Sequence, residues 1–223
     1  MCGRYTLLAD ERYIRECFNI PNAIESYQPS YNIAPGQDVL AVIYDGQKNR
    51  AGNLRWGLVP SWAEDEKIGY KMINARSETA DVKPSFKSLM VRKRCLIIAD
   101  SFYEWRPNDT SKIPERIQVN NNGLFAFAGL WDKWQKGNKT VFTCTVLTKD
   151  ANTFMQDIHH RMPIILSEDE ASAWLKTPFS TATEAKQYLE SVDDVSMKSY
   201  SVSNYVNHAK HNDAKCIEAL NEV

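Results

Sequence analysis

Residues 39–58 read Val-Leu-Ala-Val-Ile-Tyr-Asp-Gly-Gln-Lys-Asn-Arg-Ala-Gly-Asn-Leu-Arg-Trp-Gly-Leu. Val39–Tyr44 is a run of strand formers and Asn53–Leu58 is a second. Asp45-Gly46 between them is a hairpin signal, because glycine accepts the positive φ that a tight turn demands. The same pattern recurs on both sides. Tyr5–Leu8 reads as a first strand, and Asp10 caps a short helix that runs to about Phe18 and is closed by Pro21. Tyr27–Gly36, with Pro29, Pro35 and Gly36, reads as loop. Downstream, Arg94–Ala99 and Phe102–Arg106 are strands. Arg116–Val119 and Leu124–Leu130 make a further hairpin about the Asn120–Gly123 turn, followed by strands at Thr140–Leu147, Met162–Leu166 and Tyr200–Ser203. Ser167 with Glu170, and Thr181 with Glu184, have capping-box spacing and start two helices. Many short strands, few helices and no βαβ rhythm predict an α+β fold. One domain over residues 1–223 is expected, built on a curled antiparallel β-sheet or barrel with a few short peripheral helices.

Apolar residues are 43% of the 223-residue chain and charged residues 25%, which excludes wholesale disorder. No apolar run approaches the roughly 18 residues of a membrane span. The first residues lack the apolar stretch of a secretory signal, so a cytoplasmic protein without membrane partners is expected. The five cysteines (2, 17, 95, 144, 216) are scattered, with no Cys-x-x-Cys pair. That pattern fits neither a disulfide scaffold nor a structural zinc site. Cys95 and Cys144 lie in apolar runs and read as small core residues. There is no His-Glu-x-x-His pattern, phosphate-binding glycine loop or dinucleotide fingerprint, so neither metal nor cofactor is expected.

Net charge is −1, but residues 67–94 carry a local +6 and the remainder −7. The asymmetry permits one nucleic-acid-facing surface on an otherwise acidic protein; a solvated basic face is the structural alternative. This basic segment reads as two short helices split near Pro84.

Four places can carry chemistry. Cys2 follows an initiator methionine that cytosolic processing removes when the second residue is small. The mature chain would then begin with a thiol and a free α-amine on adjacent carbons, both partly nucleophilic near neutral pH. An amine condenses with an aldehyde to a Schiff base, and the adjacent thiol can close onto the imine as a five-membered thiazolidine. A chance buried cysteine is the alternative. Ile73-Asn74-Ala75-Arg76 offers an amide and a phosphate-binding guanidinium, or else a helix cap and an ion-paired arginine. Glu104, in Phe102-Tyr103-Glu104-Trp105, is a carboxyl among aromatics, suited to acid–base work if it does not simply point to water. Asp157-Ile158-His159-His160-Arg161 supplies imidazoles able to shuttle a proton.

These stretches occur together and in order: Met-Cys-Gly-Arg-Tyr at the start, Tyr31-Asn32-Ile33-Ala34-Pro35-Gly36, Arg55-Trp56-Gly57-Leu58-Val59-Pro60, Ile73-Asn74-Ala75-Arg76, Phe102-Tyr103-Glu104-Trp105 and Asp157-Ile158-His159-x-Arg161-Met162-Pro163. The combination resembles the SOS-response-associated peptidase family, the abasic-site processing proteins, from Cys2 to about Leu166. A weaker match lies near Tyr200–Asn207. The resemblance implies a DNA-damage protein that senses abasic sites in single-stranded DNA. It would shield the lesion by a covalent thiazolidine cross-link through Cys2 once Met1 is removed. It implies four catalytic residues: Cys2 as nucleophile, Asn74 on the opened sugar, Glu104 assisting ring opening and proton transfer, and His159 as acid–base partner on the sugar oxygen. It also implies DNA-binding roles for Arg4, Arg76 and Arg161 on phosphates and for Trp62 on a base. An associated lyase activity and cysteine-type autoproteolysis come with it, as does a cytoplasmic monomer working at the nucleoid or replication fork. His160 stands where the family often has aspartate. A thiol autopeptidase without a DNA role, and a non-covalent single-strand binding module, remain as alternatives. An abasic site has no base edge to read, so recognition must rest on backbone charge, stacking and the aldehyde itself.

Overall fold

The ribbon about Asp45-Gly46 forms, and it is one side of a closed barrel. The computed structural model describes residues 2–25, 27–109, 111–119 and 123–220. The expected Asn120–Gly123 turn, apart from Gly123, and the fate of Met1 therefore lie outside the described residues. The strands are β1 (Tyr5–Leu7), β2 (Ser30–Ile33), β3 (Asp38–Tyr44), β4 (Asn49–Trp56), β5 (Asn74–Arg76), β6 (Arg94–Ala99), β7 (Ser101–Pro107), β8 (Lys112–Val119), β9 (Phe125–Lys136), β10 (Lys139–Asp150), β11 (Arg161–Pro163), β12 (Ile165–Leu166) and β13 (Met197–Ser201). The helices are short: α1 (Glu11–Cys17), α2 (Ser77–Ala80), α3 (Lys87–Arg92), α4 (Thr153–Gln156), α5 (Glu168–Lys176) and α6 (Ala182–Glu190).

Strand β3 pairs antiparallel with β4, β3 with β6, β6 with β9 and β9 with β10. Strand β10 then meets β4 in parallel, with Thr143 opposite Arg55, and this closes a ring of five strands. Gly129 of β9 allows the tight closure. A Cβ there would sit 2.9 Å from Cys95 Sγ and 3.2 Å from the Thr145 carbonyl oxygen. The barrel strands bury apolar side chains such as Val42, Leu96, Ile98 and Leu130. Each large apolar side chain contributes about 1.5–3 kcal/mol by leaving water. A second, wholly antiparallel sheet runs β13-β8-β7-β1-β2. Aromatic contacts tie it to the barrel: the Tyr5 ring meets Trp56 and Phe127 at centroid distances of 5.4 and 5.7 Å.

The peripheral helices follow their caps. Ser167 accepts from the Glu170 backbone N–H while the Glu170 carboxylate accepts from that of Ser167, a complete capping box for α5. At α6, Thr181 caps Glu184, but the Glu184 carboxylate reaches the N–H of Ser180, one residue earlier. Arg94 finishes both α3 and α5: its guanidinium donates to the carbonyls of Met90, Val91, Trp174, Leu175 and Thr177. One side chain thus satisfies orphan carbonyls at two helix ends.

Several expectations need correction. Within Tyr27–Gly36, Ser30–Ile33 is an edge strand bracketed by Pro29 and Pro35, held by pairing of Ile33 with Tyr5. Strand β4 begins at Asn49 rather than Asn53. Its weakly apolar start is recruited by β3, with Tyr44 opposite Asn49, and the turn occupies residues 45–48. The basic segment does place α2 and α3 on either side of Pro84, but β5 precedes them and lies parallel to β10. The stretch from Met162 to Leu166 breaks at Ile164, so β11 pairs with β10 while β12 pairs with β9. Parallel pairing therefore enters an otherwise antiparallel design at two places, both on β10.

Candidate active site

Four segments far apart in sequence meet where the second sheet approaches β5 and β11. Cys2 lies at the entry to β1, whose neighbour β7 carries Glu104, and the Tyr103 N–H donates to the Arg4 carbonyl between them. Asn74 arrives through a backbone fold-back. Gly57 adopts a φ of +130°, and a Cβ there would lie 2.7 Å from the Gly69 carbonyl oxygen. The Leu58 N–H then donates to the Met72 carbonyl, which returns the chain and sets Ala75 opposite Leu147 of β10. Asn74 Nδ2 donates to the Cys2 carbonyl at 2.8 Å. Its Oδ1 is buried with no hydrogen-bond partner among the described residues, an acceptor left to face a ligand.

The Cys2 side chain is fully buried (0% exposed) rather than displayed. Burial first, and the nearby Glu104 carboxylate second, push the thiol well above its ordinary range. It therefore stays protonated until a base takes its proton. Glu104 is buried beside Glu115, its cross-strand partner. Two acids can share this face because Arg106 and Ser201 bond the Glu115 carboxylate at 2.8–3.0 Å. Histidine 159 follows α4. Its Nδ1 accepts the Arg161 backbone N–H at 2.9 Å, so the neutral ring carries its proton on Nε2. Burial pushes the His159 pKa below its usual value, while Glu104 acts in the opposite sense. His160 stacks on His159 with centroids 4.3 Å apart but is itself exposed. His159 lies in the field of Glu104.

The residues expected on DNA separate into two groups. Trp62 is 60% exposed and lines a groove of about 320 Å³ with Ser88, Arg92 and Lys93. Arg76 is exposed and, among the described residues, makes no ion pair or side-chain hydrogen bond. Both face solvent. Arg161 is buried instead. Only 5% exposed, it binds both Glu78 oxygens at 2.7 and 2.9 Å, together with Asp150 and the Thr148 carbonyl. Its guanidinium pins α2, β10 and β11 together, and with them the segments bearing Asn74 and His159. Its acidic partners are thus Glu78 and its cross-strand neighbour Asp150. Arg4 is also committed: it donates to Asn32 Oδ1 and to the carbonyls of Val206 and Asn207. Those acceptors are neutral, so its charge persists at the edge of the site. Among the described residues no cluster of three or more His, Cys, Asp or Glu side chains could hold a metal, and all five cysteines are free.

Because Arg161 is a frame residue, Arg161→Met should destabilise the protein by about 2–3 kcal/mol. That is less than the about 3–5 kcal/mol of a fully buried pair, since Asp150 and Glu78 are left facing water. Urea unfolding measures it, and an unchanged midpoint would contradict the framing role.

Residues 1–209 match the family model described as SOS response associated peptidase (SRAP). The chain belongs to this family. It is 49% identical to the Bacillus subtilis abasic site processing protein YoqW, over 98% of this chain and all of that one. It is 33% identical to the Xenopus tropicalis abasic site processing protein HMCES, over 88% of this chain and 68% of that one. A Bacteroides thetaiotaomicron protein of 24% identity shares the SRAP-like fold at a TM-score of 0.84, covering 99% of this chain and 100% of that one. No helix among the described residues is long and apolar enough to cross a membrane.

Proposed function

We propose that this SRAP chain processes abasic sites in DNA by capturing the aldehyde of the opened sugar on Cys2. The observation that carries this reading is the convergence of Cys2, Asn74, Glu104 and His159 from four separate segments. Family membership, and relatives named for abasic-site processing, support it.

Removal of Met1 gives Cys2 a free α-amine beside its thiol. The lesion's deoxyribose must first open. Glu104 takes the proton of the anomeric hydroxyl while His159, in its imidazolium form, donates from Nε2 to the ring oxygen, leaving a C1 aldehyde and a neutral ring. The amine adds to C1, and the resulting carbinolamine loses water to a Schiff base. The thiol then adds across the C=N bond: sulfur bonds to C1, and the thiol proton passes by way of Glu104 to the nitrogen. One water leaves overall, and a thiazolidine joins protein to DNA. Asn74 orients Cys2 through its carbonyl and offers Oδ1 to a sugar hydroxyl. Holding these groups in contact supplies much of the rate, because an otherwise bimolecular condensation becomes local.

Single-stranded DNA is the proposed substrate. A base can stack on the exposed Trp62 only where the strand is unpaired. Arg76→Glu should weaken binding to single strands of any sequence and flatten the salt dependence, whose log–log slope is about −0.7 per phosphate neutralised. Filter binding at several salt concentrations reads this; an unchanged slope would move the DNA to another face. The experiment for the function itself is incubation with an oligonucleotide carrying one abasic site, followed by a denaturing gel. A heat-stable adduct that forms on the abasic single strand, and neither on undamaged strand nor on intact duplex, is the expected result. Its absence would leave a non-covalent binding module.

A further inference from the structure

Residues beyond Val202 form no long element, yet they are tightly fixed to the two strands that bear Cys2 and Glu104. Asn32, nearly fully buried, donates from Nδ2 to the carbonyls of Val206, His208 and His211. Arg4, two residues from Cys2, donates to the carbonyls of Val206 and Asn207. Trp105, next to Glu104, donates from its indole nitrogen to Asn207 Oδ1 at 2.7 Å. Asn212 accepts from the Tyr31 N–H at 2.6 Å.

What this scaffold holds up is a ladder of rings. Tyr205 and His211 stack at a centroid distance of 3.7 Å with planes 7° apart. His208 lies against His211 at 4.9 Å, and Lys215 Nζ sits over the Tyr205 ring at 6.0 Å. His211 Nδ1 is fixed at 2.7 Å from the Tyr205 carbonyl oxygen. In the sequence Lys215–Tyr205–His211–His208 only the last ring ends the ladder, and His208 is exposed. Lys210, exposed and outside any ion pair among the described residues, and Arg4, bound to the neighbouring Val206 and Asn207 carbonyls, supply positive charge to this segment. Asp213 is occupied by the Tyr205 hydroxyl and the Lys215 N–H.

We propose that His208 is a stacking platform for a nucleobase of single-stranded DNA, one that flanks the lesion on the side away from Trp62. The proposal rests on the abasic-site reading for its strand. Bases have π-faces that extend such a ladder regardless of sequence, and the surrounding cations complement the phosphodiesters. Preorganisation matters: the hydrogen bonds from Asn32, Arg4, Trp105 and Tyr31 fix the platform before DNA arrives, so little ordering entropy remains to be lost on binding.

The test uses the full chain and single-stranded oligonucleotides carrying one tetrahydrofuran abasic analogue, which fixes the register but cannot open to an aldehyde, with 2-aminopurine at successive positions on either side of it. Stacking is worth about 1–3 kcal/mol per base, or roughly 5- to 150-fold in affinity, and an edge imidazole falls toward the low end. His208→Ala should lower affinity about 5-fold and abolish fluorescence quenching at one nucleotide position. His208→Trp should restore both, which a merely structural histidine or a simple charge would not allow. Unchanged affinity and quenching in His208→Ala, or failure of His208→Trp to rescue, overturns the platform. Adduct formation on an abasic strand is scored separately. An adduct with a silent His208→Ala leaves the abasic-site reading standing without the platform, and the converse result separates them the other way.

Discussion

Glu104→Gln is expected to slow cross-linking to an abasic single strand by about 10²–10⁴-fold, the usual worth of a positioned proton carrier. The amide keeps the shape of the buried side chain on β7 but cannot cycle a proton between the sugar hydroxyl, the thiol and the nascent nitrogen. Binding of undamaged strand should change little, since Glu104 is 3% exposed and offers no charge to phosphate. His159→Ala should slow the reaction more than His160→Ala, because His159 is half-buried in the field of Glu104 whereas His160 is exposed. Single-turnover gels measure all three variants. A larger effect at His160 would reverse the assignment of the two rings.

Cys2→Ser is expected to abolish the heat-stable adduct. Once Met1 is gone, the variant keeps an α-amine and can still form a Schiff base, but a hydroxyl adds to the imine far less favourably than a thiol. What remains should be seen only after borohydride reduction. The buried setting of Cys2 sharpens the contrast. Its thiol is held protonated by burial and by Glu104, so it does not wander into adventitious oxidation or alkylation before an aldehyde arrives. A stable adduct of undiminished yield from Cys2→Ala would remove sulfur from the mechanism.

Local signals in the sequence were the legible ones. Asp45-Gly46, the Asp10 cap and the Ser167 box each act within a few residues, and each is realised. Strands β2 and β5 were not legible, because three or four residues without alternation become strands only when β1 and β10 supply the hydrogen bonds from afar. The parallel contact of β10 with β4 that closes the barrel is likewise a tertiary event. At the site, motif order singles out Cys2, Asn74, Glu104 and His159, whereas the partners of Arg161 are not legible, because Glu78 and Asp150 converge on it from α2 and β10. The partners of Arg4 are equally hidden, its guanidinium being turned to backbone carbonyls from the far end of the chain. The Tyr205–His211–His208 ladder escaped notice altogether. Its rings are spaced irregularly in a polar tail, and only the fold-back imposed by Asn32 stacks them.

The most direct measurement is the intact mass of the adduct formed without reductant, before and after treatment with a thiol-alkylating reagent under denaturing conditions. A thiazolidine at Cys2 requires the mass of the chain lacking Met1 plus the abasic oligonucleotide, less one water. It also requires one fewer alkylated cysteine than the free protein, in which all five cysteines are reduced. An adduct that still carries Met1, or one in which all five thiols react, would contradict capture by the Cys2 amine and thiol together.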